Sequence, residues 1–105
     1  MRSKYRMYDP PHPGGVLKRV EMEPRKLTVT EFAKVLRMSR VQLSQVVNGH
    51  ARITPDLAVR LSRALKTSPD LWLGMQAEYD LWQAEHTAPH KEIKPLPDFE
   101  ESVAG

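Results

Sequence analysis

The sequence predicts an all-α fold: a domain of five helices followed by a flexible tail. Apolar residues recur at helical spacing in five segments, and no segment alternates apolar and polar residues as a strand would. The 105-residue chain is long enough for one compact domain and too short for two ordinary ones. We expect a flexible basic N-terminal arm at 1–12, the domain at 13–85 and a disordered acidic tail at 86–105.

The first two predicted helices, at about 14–22 and 29–36, are short and amphipathic. The first follows the sequence HPGG and ends before Pro24, because proline cannot continue a helix. The second has a clear start signal in Thr28 with Glu31 three residues later. This spacing predicts a capping box, in which each side chain binds the backbone N–H group of the other residue.

The third predicted helix, at about 40–48, begins only two residues after the second one ends. Ser39 and Gln42 repeat the capping spacing at its start. Gly49 follows its last residue, where a left-handed backbone costs glycine little. Two short helices joined by so tight a turn predict a helix-turn-helix arrangement.

The fourth and fifth predicted helices, at about 55–66 and 69–85, begin in the same way. Thr54 and Ser68 each precede a proline, which suits the first helical position because its missing N–H group has no partner there. Three large aromatic residues lie along the fifth helix: Trp72, Tyr79 and Trp82. We expect Trp72 to pack in the core of the domain.

Charge divides the chain into two parts of opposite sign. Residues 1–67 carry 14 Lys and Arg against 5 Asp and Glu, whereas residues 68–105 carry 2 against 8. A basic region of this size favours a polyanionic partner, although an unevenly charged solvated surface has the same totals.

The third helix has an unusual polar face, which favours a role in reading the bases of double-stranded DNA. A recognition helix places its N-terminal residues against base edges in the major groove. Arginine can bind guanine, glutamine can bind adenine and valine can contact a thymine methyl group. The residues that we expect to read bases are Arg40, Val41, Ser44 and Gln45. The alternative is an ordinary solvated helix with local capping.

Phosphate contacts are expected on either side of that helix, because they fix the position of a protein on the duplex. Helix N-termini and basic or amide side chains supply such contacts. The candidates are Thr28, Ser39, Asn48, His50 and Arg52. Any one of them could instead be an ordinary surface residue.

Three segments of the chain resemble a known family. They are the opening HPGGVLKRV, the block VVNG…ITPDLAVRLSRAL and the block TSPDLWLGMQAEYDL, which together lie within His12 to Leu81. The chain resembles the HigA-type antitoxins of bacterial toxin–antitoxin modules, which belong to the phage-repressor-like (XRE) helix-turn-helix proteins. One departure is Arg37, which occupies a turn position usually held by glycine.

The resemblance implies a cytoplasmic repressor of its own operon that also neutralises a partner, typically a HigB-type mRNA-cleaving toxin. Two alternatives remain at this point. One is a stand-alone phage-like repressor without a toxin, and the other is a protein-interaction module that has lost DNA binding. A toxin-like reading frame beside the gene would favour the antitoxin over the stand-alone repressor. Operator binding would distinguish both of these from the interaction module.

The far end of the fifth helix is the candidate interface. An operator with two half-sites favours a two-fold homodimer. Tyr79 and Trp82 lie beyond the part of the helix that a small core can cover, and aromatic residues often anchor interfaces. We therefore expect one or both to contact the second copy or another partner.

Several other classes of function are not expected from this sequence. There is no nucleophile elbow and no phosphate-binding glycine loop, so we expect no enzyme, no catalytic residue and no cofactor. His86 and His90 have metal-ligand spacing, but Pro89 interrupts the helix that would align them. We expect no metal site, and no apolar run reaches the roughly 20 residues that a membrane span needs.

Overall fold

A computed structural model describes residues 9–87 and 90–97, which contain five helices and no β-strand. The first helix, α1, has an α-helical turn at Pro13–Val16 that continues as a π-helical segment at Leu17–Met22. The other elements are α2 (Val29–Leu36), α3 (Arg40–Val47), α4 (Pro55–Leu65), α5 (Pro69–Thr87) and a 3-10 turn at His90–Glu92. The prediction of an all-α helix-turn-helix fold is confirmed.

The predicted helix starts are present with the expected hydrogen bonds. The hydroxyl of Thr28 accepts the N–H group of Glu31 at 3.0 Å, and that of Ser39 accepts the N–H group of Gln42 at 3.0 Å. Both capping boxes are complete, since the Glu31 and Gln42 side chains also accept the N–H groups of Thr28 and Ser39. Helices α2 and α3 therefore begin at the residues that the sequence predicted.

Four helix ends share one backbone pattern that the sequence revealed only in part. Each has a residue with positive φ within four residues of the helix end, and the N–H group of the next residue bonds the carbonyl five positions earlier, at 2.8–3.2 Å. This is the Schellman motif. The positive-φ residues are Lys26, Arg37, Gly49 and Lys66. The sequence predicted the glycine, and the family resemblance marked Arg37 as standing where a glycine is usual. It gave no signal at Lys26 or Lys66, because basic residues rarely adopt this conformation.

The core lies where all five helices meet. Trp72 is 1% exposed, and its indole Nε1 donates to the Thr67 hydroxyl at 2.8 Å, so the expectation that it packs in the core is confirmed. The largest fully buried side chains are Trp72, Phe32, Leu17, Leu43, Ile53, Leu61 and Pro13. The core therefore contacts only the inner side of α3.

The crossing of α1 over α3 depends on a glycine. A Cβ atom on Gly14 would lie 1.8 Å from the carbonyl oxygen of Val46, far inside van der Waals contact. Only glycine therefore lets α1 approach the backbone of α3 this closely. The approach fixes the position of the C-terminal part of α3.

The two predicted termini differ in detail from the structure. Pro10 is buried and His12 caps α1, so the packed domain includes residues of the proposed arm. Helix α5 continues through His86 and Thr87, the first two residues of the proposed tail. The described part of the proposed tail also includes a 3-10 turn at His90–Glu92. The predicted flexibility of 1–8, 88–89 and 98–105 lies outside the described residues. Within 9–87 and 90–97, none of the helices has the length and apolar character of a membrane span.

Candidate DNA-binding surface

Helix α3 has one buried side and one exposed side. Leu43, Val46 and Val47 are buried against the domain. On the other side Arg40, Val41 and Gln45 are exposed and Ser44 is partly buried, and the exposed fraction of Val41 is 62%. The four predicted base-reading residues therefore share the outer face of one helix.

The surroundings of this face carry positive charge. Residues 32–55 contain Lys34, Arg37, Arg40 and Arg52 and neither Asp nor Glu. The Gln42 side chain accepts the N–H group of Ser39 through Oε1 in the capping box, which leaves only its Nε2 donors for another partner. An uncovered helix with amide, hydroxyl and guanidinium groups in a basic field is suited to the major groove of DNA.

The N-termini of α2 and α3 place two predicted phosphate ligands at the surface. Thr28 and Ser39 are exposed, and each hydroxyl accepts a backbone N–H group. A hydroxyl that accepts a hydrogen bond still has its own proton to donate. Both residues can therefore donate to a phosphate without breaking the cap.

The three candidates after α3 are exposed but differ in their contacts. Asn48 donates through Nδ2 to the Ser44 carbonyl at 2.9 Å and to its hydroxyl at 3.2 Å. Arg52 forms an ion pair with Asp80 of α5, with 2.7 Å between Nη1 and Oδ2. An exposed ion pair contributes at most about 1 kcal/mol, so a phosphate could replace Asp80 at small cost. Sequence reasoning foresaw neither contact.

A buried glutamine joins α5 to the loop after α3. Gln76 is 2% exposed, and its Oε1 accepts the N–H group of Ile53 at 2.8 Å. Its Nε2 donates to Asp80 at 2.9 Å, and Asp80 in turn pairs with Arg52. Sequence reasoning missed Gln76, although a polar residue one turn after Trp72 in an apolar stripe is a detectable signal.

A cleft of about 400 Å³ lies beside Gln45, between α3 and α4. Arg37, Arg52 and Arg60 line it, with Asp56 as its acidic residue. Arg60 donates from Nη1 to the carbonyl groups of Leu36 and Arg37 at 2.8 and 2.7 Å. Three arginines and one aspartate are thus the charged residues that line the cleft beside the reading face, and its charge is net positive.

Comparison with known proteins assigns this architecture to a family. The Helix-turn-helix family profile (HTH_3) matches residues 19–72. Virulence-associated protein A of Dichelobacter nodosus is 42% identical over 92 residues, which cover 87% of this chain and 89% of that protein. Antitoxin HigA-1 of Vibrio cholerae serotype O1 is 32% identical over 85 residues, covering 79% of this chain and 80% of that protein.

The chain belongs to the HigA-type helix-turn-helix family. A solved structure described as the Pseudomonas aeruginosa antitoxin HigA with the higBA promoter superposes with a TM-score of 0.75. It is 30% identical in sequence, and the match covers 83% of this chain and 98% of that one.

In this HigA-type chain one histidine joins the start of α1 to α5. The Nδ1 atom of His12 accepts the N–H group of Gly14 at 2.9 Å, which caps α1. Its ring meets Tyr79 edge to face, with 4.9 Å between the ring centroids. Desolvation by burial lowers the pKa of His12, although the negative charge of Asp80 partly opposes that effect.

The two candidate interface residues on α5 have partners within their own chain. Tyr79 packs against His12, and Trp82 stacks on His86 with ring centroids 3.8 Å apart. Both rings are partly buried. Their predicted role as interface contacts stays a prediction.

A different flank of α5 is apolar and uncovered. A shallow cleft of about 480 Å³ is lined there by Leu73, Ala77, Leu81 and Ala84, with Arg52, Gln76 and Asp80 at the same surface. Leu81 is 41% exposed. The spacing of these residues places them on one side of a helix, so α5 presents an apolar stripe that the rest of the described chain, 9–87 and 90–97, leaves open.

Residues 9–87 and 90–97 contain no cluster of three His, Cys, Asp or Glu side chains that could hold a metal ion. The HigA-type relatives above are described as a virulence-associated protein and as antitoxins.

Proposed function

We propose that this chain is an operator-binding antitoxin. It binds double-stranded DNA through α3 as a homodimer, represses its own operon and neutralises a HigB-type mRNA-cleaving toxin encoded beside it. The observation that carries the proposal is the outer face of α3, which is ordered by a capping box and left uncovered in a basic field. We expect it to act in the cytoplasm, where operator and mRNA are both present.

Each residue of the α3 face has a specific part in the proposal. Arg40 binds guanine, Gln45 binds adenine, Val41 contacts a thymine methyl group and Ser44 bonds a base edge. The phosphate contacts are made by Thr28, Ser39, Asn48, His50 and Arg52. For Arg52 this requires exchanging the carboxylate of Asp80 for a phosphate oxygen.

The homodimer supplies a second reading helix. One helix reads few base pairs, and two copies related by a two-fold axis place their α3 helices about 34–36 Å apart. The uncovered stripe of Leu73, Ala77, Leu81 and Ala84 is suited to pairing with its own copy, because small residues allow two helices to approach closely. Tyr79 and Trp82 remain the alternative contacts, on the other side of α5.

Sedimentation separates the two dimer surfaces. We expect Leu81→Glu to leave a helical monomer with weak operator affinity, because it places a charge in the stripe. The double variant Tyr79→Ser, Trp82→Ser should then still dimerise. The opposite result, a monomeric double variant and a dimeric Leu81→Glu, would assign the interface to the aromatic side.

The proposed toxin partner agrees with the charge of α5. Residues 69–87 carry Asp70, Glu78, Asp80 and Glu85 and neither Lys nor Arg. An mRNA-cleaving protein binds a polyanion and therefore needs basic surface, which an acidic helix can attract.

The deciding experiment is co-purification with the product of the adjacent gene, followed by footprinting on the shared promoter. A stable complex and a protected two-fold site confirm the antitoxin. A footprint without a complex supports the stand-alone repressor. A complex without any footprint, at low as well as physiological salt, supports the interaction module.

A further inference from the structure

The turn between α2 and α3 contains a residue in a costly conformation. Arg37 has φ 58° and ψ 47°, in the left-handed region. A residue with a side chain is disfavoured there by roughly 1–2 kcal/mol, because its Cβ atom crowds the following carbonyl oxygen. Only Met38 separates Arg37 from Ser39, which caps the proposed reading helix. A distortion of this turn would therefore be transmitted directly to α3.

A side chain from a third helix bonds this turn. Arg60 of α4 donates from Nη1 to the carbonyl oxygens of Leu36 at 2.8 Å and Arg37 at 2.7 Å. Its Nε donates to Asp56 Oδ2, also at 2.8 Å, which holds the guanidinium in place. The carbonyl groups at a helix C-terminus lack intrahelical partners and carry partial negative charge. A guanidinium satisfies both needs.

We infer that Arg60 is a positioning residue for DNA recognition. It stabilises the left-handed Arg37 and so fixes the angle at which α3 leaves α2. The inference rests on the proposed function, because it assigns a role in presenting the reading face. Arg60 acts through the backbone of the turn and needs no contact with DNA.

The geometry requires arginine rather than any cation. The guanidinium is planar and offers several donors in a fixed arrangement, so one edge can bind Asp56 while another binds the turn. A lysine ammonium keeps the charge but cannot reproduce this fork. Arg60→Lys is thus a variant that removes the geometry and retains the electrostatic attraction to DNA.

A second turn of the chain supplies the matched control. Lys66 ends α4 with φ 59° and ψ 42°, almost the same conformation as Arg37. Among the described residues, the hydrogen bonds at Lys66 come from the backbone, and no arginine bonds its carbonyl group. Glycine at position 66 relieves the same strain at a site remote from α3.

The experiment compares Arg60→Lys alone, with Arg37→Gly, and with Lys66→Gly. It measures affinity for operator DNA, affinity for non-operator DNA and amide exchange at Met38 and Ser39. We expect Arg60→Lys to weaken operator binding about tenfold, equivalent to about 1.4 kcal/mol, and to leave non-operator binding within about twofold. Exchange at Met38 and Ser39 should become faster.

Rescue decides the mechanism. We expect Arg37→Gly to restore the preference for operator over non-operator DNA in the Arg60→Lys background, because glycine adopts the left-handed turn without help. Both affinities should fall together by the loss of one cation, since Arg37 belongs to the basic surroundings of α3. Lys66→Gly should raise the thermal midpoint without restoring binding. Equal rescue by both glycines, or unchanged operator affinity in Arg60→Lys, would overturn the inference, since Arg60 would then be only structural or dispensable.

Failure of the proposed function gives a different pattern. If the unmodified protein shows no preference for its promoter, the proposed function fails, whereas the exchange measurement still tests whether Arg60 holds the turn. Unchanged amide exchange at Met38 and Ser39 in Arg60→Lys would overturn the positioning role by itself.

Discussion

Two turns of this molecule have the same backbone conformation but different surroundings. Between α2 and α3, and again between α4 and α5, a basic residue with positive φ is followed by one further residue and then by a capping serine. The first turn contains Arg37 and Ser39, and the second contains Lys66 and Ser68. The Ser68 hydroxyl accepts the N–H group of Asp70 at 3.0 Å, as Ser39 does for Gln42.

The two turns differ in the bonds that hold them and in the helix that each one begins. The first is bonded by the charged Arg60, which is partly exposed, and leads to a helix with an uncovered polar face. The second is bonded from inside by the indole of Trp72 to Thr67, and leads to a helix that enters the core. The same backbone pattern thus serves recognition in one place and packing in the other.

The largest expected effect comes from breaking the second turn. Trp72→Ala removes the largest buried side chain and its bond to Thr67, which should cost about 3–5 kcal/mol of the free energy of unfolding. Urea denaturation measures it. Trp82→Ala is the matched control on the partly exposed part of α5 and should cost clearly less. An equal loss in both variants would contradict the assignment of Trp72 to the core.

A smaller effect is expected where α5 reaches the DNA-binding region. Gln76→Leu leaves the buried N–H group of Ile53 without its partner, which should cost about 1–3 kcal/mol. Amide exchange at Ile53 should become faster, and operator affinity should fall because the loop carrying His50 and Arg52 loosens. Unchanged exchange at Ile53 would show that Gln76 does not hold the loop.

Replacing glutamine by alanine at two different positions tests the role of α3 in reading bases. Gln45→Ala should weaken specific operator binding by about 1–3 kcal/mol and leave non-specific affinity unchanged. Gln83→Ala on α5 removes the same side chain and should change neither. Competition with scrambled operator DNA measures both affinities. If Gln45→Ala weakens specific and non-specific binding equally, Gln45 contacts phosphate rather than a base.

Salt dependence distinguishes the phosphate contacts from the base contacts. Each phosphate-binding cation that is replaced reduces the slope of log affinity against log salt by about one. His50→Ala and Arg52→Ala should therefore weaken binding to all DNA sequences, and Arg52→Ala should flatten the salt dependence. An unchanged slope for Arg52→Ala would mean that Arg52 stays paired with Asp80 on DNA.

The smallest expected effect is on the pH dependence of stability. Burial lowers the pKa of His12, so the folded state resists protonation that the unfolded state accepts near the ordinary value of 6.5. The resulting destabilisation is absent above pH 6.5. The free energy of unfolding should therefore fall as pH decreases from 6.5 towards the pKa of His12 in the folded protein. His12→Asn, which can still cap α1, should make the decline shallower. Thermal midpoints across this range would test it, and an identical decline in the variant would exclude His12 as the cause.

What the sequence by itself determined is local in the chain. The capping boxes at Thr28 and Ser39, the glycine after α3 and the stripe that buries Trp72 depend on residues within four or five positions of one another. Such spacings are set by the geometry of one helix, so they are legible without knowledge of the fold. The outer face of α3 was predictable for the same reason.

Only the tertiary structure decided the contacts between distant segments. Arg60 meets Leu36 across 24 positions, Gln76 meets Ile53 across 23, and Arg52 finds Asp80 on another helix. The structure also decided which side of α5 is uncovered. Tyr79 and Trp82 contact histidines of their own chain, whereas the apolar stripe on the other side lines an open cleft. No spacing encodes these contacts, because they depend on how α4 and α5 pack against the rest. The bonds from Arg60 to the turn at Arg37 belong with them, since they join α4 to the end of α2 and exist only in the folded protein.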